Sequence, residues 1–246
     1  MMAEVRYAPR LDVPFAIERG RSQTLQCPVY SGATLTAPSS GTCTVYSPAK
    51  SAVSGAVTIT GSVAEYAVTG LGAYDYGDGW AVEFALVMPD GATHTYRNTA
   101  ALCKVAPQQA VVPADLYRRE PYLDPTSPGA VASEDWSGQC LEAHLELQRR
   151  LWARGRRPWQ IVDQSALRQC ELLLALSYAY RALSARDTSG TALTQAEHYH
   201  AEQTRAWARI TVRYDQSGDG MVDSADLTPA KPATIWLGST KRSPWQ

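Results

Sequence analysis

Five prolines, Pro107, Pro113, Pro121, Pro125 and Pro128, fall within 22 residues near the middle of the chain. Proline has no amide hydrogen and a fixed φ, so neither a helix interior nor a central strand runs through such a stretch. The spacing therefore predicts a boundary at 107–132, a linker with a few ordered pieces. One of these is a helical turn over 114–118, opened by Pro113. A chain of 246 residues accommodates one large domain or two small ones, each able to bury a core. Hydrophobic residues at 45% and charged residues at 19% exclude a disordered chain. A net charge of −1 excludes a protein that grips nucleic acid with its whole surface.

Before the boundary, residues 1–106 read as β-structure. Short strand-like runs at 22–30, 41–46, 55–60, 64–69, 80–87 and 93–105 alternate with turn signals. Ala56-Val57-Thr58-Ile59-Thr60 alternates apolar and polar, as a half-buried strand does. Pro89-Asp90-Gly91 predicts a tight turn and a hairpin from Trp80 to about Val105. This count of short strands predicts an antiparallel β-sandwich of immunoglobulin-like type.

After the boundary, the apolar period changes to that of helices. The first helix is expected over 133–153, with Trp136, Cys140, Ala143, Leu147 and Leu151 on one stripe and Gly155 as its stop. The second is expected over 164–184. Its centre, Leu172-Leu173-Leu174-Ala175-Leu176, is apolar all round and predicts the buried middle helix. The third is expected to open at the capping box Thr194-Gln195-Ala196-Glu197 and to carry a stripe through Ala196, Tyr199, Gln203, Ala206, Ile210 and Tyr214. The predicted class is α+β: an N-terminal antiparallel Ig-like sandwich (1–106), the Pro-rich linker (107–132), a three-helix domain (133–226) and an extended tail (227–246).

The N-terminal MMAEVRYAPRLDVPF has no apolar stretch of signal-peptide length, and no run approaches the ~20 residues of a membrane span. These predict a soluble chain made in a cytoplasm. Cys27, Cys43, Cys103, Cys140 and Cys170 are odd in number and scattered, with no CxxC pair, and read as reduced core groups.

Few residues carry a chemical signature. Residues 215–226 place oxygen-bearing side chains at Asp215, Ser217, Asp219 and Asp226, with Gly220 at the sharp turn and the Met221 carbonyl following. A hard cation needs about six or more oxygens, which this spacing wraps around a point. The loop resembles an EF-hand loop, and more closely a dockerin loop, which also ends in Asp; calcium is the cofactor that resemblance implies. A Ser at the second ligand position, Pro229 soon after, and the lack of a second loop depart from the pattern. The alternative is an Asp/Gly-rich turn whose side chains cap the backbone. Arg149, Arg150, Arg154, Arg156 and Arg157 lie within nine residues, with Trp152 and Trp159 among them. They could face a polyanion such as DNA or the acids of another subunit; a solvated helix end is the alternative. His198 and His200 fall on different helix faces, and Glu142 and Glu146 read as an exposed face, so no catalytic constellation stands out. The tail 227–246 holds Ile235, Trp236, Leu237 and Trp245 and cannot make a core of its own, which predicts anchors for a partner's groove.

Several segments together resemble structural proteins of tailed bacteriophages. These are Pro28-Val29-Tyr30-Ser31-Gly32-Ala33-Thr34, Gly41-Thr42-Cys43-Thr44-Val45-Tyr46 and Gly79-Trp80 in the β-half. Ala114-Asp115-Leu116 with Pro121 and Leu123, Gly155-Arg156-Arg157-Pro158, and Tyr214-Asp215 follow. The combination is similar to head-to-tail adaptor (connector) proteins, although the smallest of these are helical only. The resemblance implies a non-enzymatic virion component in the neck, assembled in the bacterial host cytoplasm. It further implies a homo-oligomeric ring, often a dodecamer, that contacts the portal and other neck or tail proteins and lets DNA pass without sequence specificity or a membrane. A tail or baseplate role is a second expectation. A calcium-dependent adhesion or carbohydrate-binding module is the competing class.

Overall fold

The computed structural model describes residues 7–127, 135–161, 164–187, 190–210 and 212–215. The chain is α+β, with two sheets in its first half and four α-helices in its second. One sheet has the order β1 (Tyr7–Pro9), β3 (Gln23–Ser31), β8 (Val63–Val68), β7 (Thr58–Thr60), with β4 (Thr34–Leu35) also on β3. The other has the order β2 (Phe15–Glu18), β10 (Thr93–Cys103), β9 (Gly77–Val87), β5 (Ser40–Tyr46), β6 (Ala52–Ala56). Every pairing is antiparallel except β2 with β10.

Period-two patterning explains the sheets. Along β9, Trp80, Val82, Phe84 and Leu86 are buried and the residues between them are not. Leu25, Cys27 and Val29 do the same on β3. Side chains from both sheets join one core, so the sheets share a single apolar interior. The expected hairpin forms between β9 and β10. Its turn is closed by Gly91 at φ 78°, and the Asp90 carboxylate accepts the Ala92 amide at 2.9 Å.

Two sequence expectations change here. The single strand read over 55–60 is two strands, β6 and β7, on different sheets. Between them the Val57 amide donates to the Gly41 carbonyl at 3.1 Å, one position beyond the β5–β6 pairing and in its register, and the chain then crosses from one sheet to the other. The alternation read over 56–60 survives as half-burial of an edge. Strands β1 and β2 were not expected at all. They are short, flanked or ended by Pro9 and Pro14, and owe their conformation to β3 and β10 rather than to their own pattern.

The second half holds α1 (Pro113–Arg119), α2 (Ser137–Ala153), α3 (Ser165–Ser184) and α4 (Thr191–Arg209). The expected stripe of α2 is buried as read, from Trp136 through Leu151. Its start is set by Asp135, whose carboxylate accepts from both the amide and the hydroxyl of Ser137, later than the expected 133. Gly155 at φ 70° ends it, and the Arg156 amide turns back to the Leu151 carbonyl at 2.9 Å. Helix α3 is the buried one, covering Cys170, Leu173, Leu174, Ala175, Leu176, Ala179 and Leu183. Helix α4 begins a turn before the expected capping box. Gly190 takes φ 76°, Asp187 caps the Ala192 amide at 2.7 Å, and Thr194 donates back to the Gly190 carbonyl instead of capping. The helix stops at Arg209, so Tyr214 is not on its stripe; Tyr214 pairs with Ile161 as an isolated bridge.

The proline-rich stretch contributes to this second core. Val111, Leu116 and Leu123 are buried among the helices, and Trp136 donates its indole N–H to the Leu123 carbonyl at 3.0 Å. No helix among the described residues is long and apolar enough to cross a membrane.

Gly41 marks the tightest packing between strands. A Cβ there would lie 2.6 Å from the Ala85 carbonyl oxygen and 2.6 Å from Leu86 Cδ2 on β9. The carbonyl is backbone and cannot swing away, so Gly41→Ala is expected to lose about 1–3 kcal/mol by overpacking. Chemical denaturation followed by Trp80 fluorescence checks this; an unchanged midpoint would contradict it.

Candidate functional site

The structure gives each of the arginines singled out by sequence a partner within the chain. Arg149 pairs with Glu142 at 2.6 Å and Glu146 at 2.5 Å on its own helix, and lies 3.8 Å from Asp12 of the β-half. Arg150 pairs with Glu146 at 2.8 Å and donates to the buried Gln203 of α4 at 2.9 Å. Arg154 lies over the Trp207 ring, 4.8 Å from its centroid, and Arg156 over the Tyr214 ring at 4.7 Å. Arg157 pairs with Asp78 at the start of β9. Trp152 and Trp159 rest against each other, with centroids 5.4 Å apart. Glu142 and Glu146, read as an exposed face, instead receive these cations, and Glu142 also takes Arg10 from the β-half at 3.0 Å. The cluster is thus drawn into ion pairs and ring contacts, and much of it serves the junction between halves.

The junction has a further polar tie. Glu18, 7% exposed, accepts the Ala106 amide at 2.9 Å on one oxygen and Arg21 at 3.0 Å on the other. It therefore fixes the end of the β-half where the proline-rich stretch begins.

Two carboxylates, the buried Glu171 and the half-buried Glu120, organise the helical half, and sequence reading identified neither. Glu171 of α3 is 2% exposed. One of its oxygens accepts the amides of Ala110 and Val111 at 3.0 and 3.1 Å, and the other meets His144 Nδ1 at 3.2 Å. The far nitrogen of His144 meets the Gln148 side-chain amide at 2.6 Å. A buried carboxylate with this many donors is held by the protein rather than by water. Glu120, beyond α1, accepts the hydroxyls of Tyr180 at 3.0 Å and of Tyr199, whose rings stack 5.7 Å apart. Burial first, and then the bond to Glu120, push both phenols well above their ordinary range. A Glu inside an apolar helix centre is the signal that pointed to the first; only the fold brings the partners of the second together.

The cysteines are all buried and free. Burial pushes the thiols of Cys27, Cys43, Cys103 and Cys140 up to about 12 and that of Cys170 to about 11. They are protonated at neutral pH and pack as apolar groups. Of the histidines, His94 pairs with Asp90 at 3.0 Å and His198 lies 3.6 Å from Glu202.

Asp215, the first residue of the candidate cation loop, is 5% exposed, and its amide donates to the Gln160 carbonyl at 2.8 Å. Ser217, Asp219, Met221 and Asp226 lie outside the described residues, as do the tail anchors Ile235, Trp236, Leu237 and Trp245. A groove of about 690 Å³ runs between α3 and α4, rimmed by Arg119, Arg205 and Arg209. A second cleft of about 470 Å³ lies between the β-half and α2, with Phe15, Tyr30 and Leu141 on its walls. Compared with known protein families and with curated proteins, the chain matches none.

Two measurements check this chemistry. With a thiol-specific disulfide reagent at pH 8, the folded protein is expected to show no fast-reacting thiol and the unfolded chain all five. The folded thiols titrate above the 9.0 of an open thiol, so the stability they contribute is complete below pH 9 and falls as pH rises from 9 towards 12. A fast thiol at pH 8 would contradict the packing. Glu171→Ala strands the amides of Ala110 and the buried Val111 together with His144, and is expected to lose about 3 kcal/mol or more in urea unfolding. A loss below about 0.5 kcal/mol would show that water already solvates the site.

Proposed function

We propose that this chain is a structural virion protein, a ring-forming head-to-tail adaptor that joins a portal to a tail around the DNA exit path. In this reading the first half is an Ig-like sandwich. The order β1-β3-β8-β7 against β2-β10-β9-β5-β6 supports it, since the first strands divide between the two sheets and the central strands follow the Ig arrangement. Helices α2, α3 and α4 are read as a three-helix bundle around α3, supported by their common core.

The observation that carries the proposal is how the halves are joined. Arg10 to Glu142, Arg149 to Asp12 and Arg157 to Asp78 all cross between them, beside the Glu18–Ala106 bond that holds the end of the β-half. A neck subunit must pass force from head to tail, and side-chain ties on several faces of a junction do this where a bare tether does not. Large apolar side chains on the helical half, Val112, Tyr122, Leu141, Trp152 and Leu193, are each at least two-fifths exposed and supply contact area for neighbouring subunits. The cysteines, protonated and buried, fit a structural role. Passing DNA is served without sequence recognition, and the Arg149–Arg157 cluster, being paired within the chain, is not asked to supply the contact.

The test is assembly. Mixed with portal rings of its own phage, the full chain is expected to co-sediment with them and to add a ring of density in negative-stain images. Removing residues 228–246 is expected to leave the melting temperature unchanged and to abolish the joining of tails to filled heads. Heads that lack this chain and still accept tails normally would overturn the proposal.

A further inference from the structure

The groove between α3 and α4 gathers three arginines at one rim. Arg118 and Arg168 share Asp115, and Arg149 and Arg150 are answered by Glu142 and Glu146. Arg119, Arg205 and Arg209 are exposed on the groove's rim and, among the described residues, have neither an ion pair nor a hydrogen bond. The one carboxylate of the groove, Glu202, already lies beside His198. Between the arginines the lining is apolar, with Leu173, Ala206 and Ile210. Bare phosphate would use the cations and leave this floor wet. A peptide with carboxylates along one edge and apolar side chains along the other satisfies both.

This chain contains such a peptide. Residues 216–227, outside the described residues, carry Asp219, Asp223 and Asp226 with Met221, Val222 and Leu227 and contain no basic residue. Three carboxylates answer three guanidinium groups. The described chain ends at Asp215, which is held by Gln160 and lines the cleft with Asp78, Lys104 and Arg157 at the β-half. That cleft shares no lining residue with the α3–α4 groove.

We infer that the α3–α4 groove binds residues 216–227 of a second copy of this chain, with Arg119, Arg205 and Arg209 on its three aspartates. The inference rests on the self-assembly in the adaptor reading. A chain that self-associates through this groove but ignores the portal would overturn that reading and leave this one standing.

Charge exchange between full-length copies tests it. Sedimentation velocity is run in chelator, so that no cation occupies the aspartates, at low salt. Arg205→Glu/Arg209→Glu and, separately, Asp219→Arg/Asp223→Arg are each expected to weaken self-association on the order of tenfold or more. An equimolar mixture of the two is expected to restore it, because the acidic segment of the first variant meets the basic groove of the second, and the basic segment of the second meets the acidic groove of the first. Arg205 and Arg209 lie outside the hydrophobic cores, and unchanged melting curves check that both variants fold. Three results would overturn the inference: a parent chain that stays monomeric up to millimolar concentration, variants that associate as the parent does, or a mixture that stays monomeric. The first is what a segment folded back into its own groove gives.

Discussion

A buried carboxylate is the constraint on which the helical half depends. Glu171 sits in the centre of the most apolar helix, where an unpartnered charge costs several kcal/mol. The carboxyl is accommodated there because the amides of Ala110 and Val111 and the ring of His144 converge on it. Meeting that demand fixes three segments at once. The chain after the β-half is drawn onto α3, α2 is set at a distance that His144 can span, and Val111 is carried into the core beside Leu116 and Leu123. What reads as a connection therefore behaves as part of the fold. Glu120 repeats the device at the other end of α1, binding α3 and α4 through two tyrosine hydroxyls.

The same segment begins at Ala106, whose amide belongs to Glu18 of the β-half. Carboxylates thus hold the connection at both ends, while the Arg10, Arg149 and Arg157 pairs hold the surfaces beside it. Exposed ion pairs contribute little singly, about 0–1 kcal/mol, and are screened by salt. Their role here is orientation, and the buried carboxylates supply the strength.

Much of the architecture is legible in sequence because it rests on period. The strands at 22–30, 41–46, 64–69 and 80–87 and the stripe Trp136–Cys140–Ala143–Leu147–Leu151 follow from burial on one face, which residues announce locally. What sequence did not announce is pairing at a distance. Strands β1 and β2 exist because β3 and β10 offer them an edge. Five arginines within one turn-and-connection read as a cationic face, yet Asp12 and Asp78, far earlier in the chain, help to neutralise them. The start of α4 was misread because Gly190 and Asp187 cap it before Thr194 can. Conversely, the unanswered Arg119, Arg205 and Arg209 come from two helices and gain meaning only when α1 and α4 meet at one groove.

Hydrogen exchange at the amides of Ala110 and Val111 tests the central claim most directly. If Glu171 holds the connection as part of the fold, these two amides exchange in step with those in the middle of α3, such as Leu174, and open only when the helical half unfolds. Exchange at the rate of an open loop, with α3 still protected, would show that residues 107–112 are a tether and that the two halves are joined by surface charge alone.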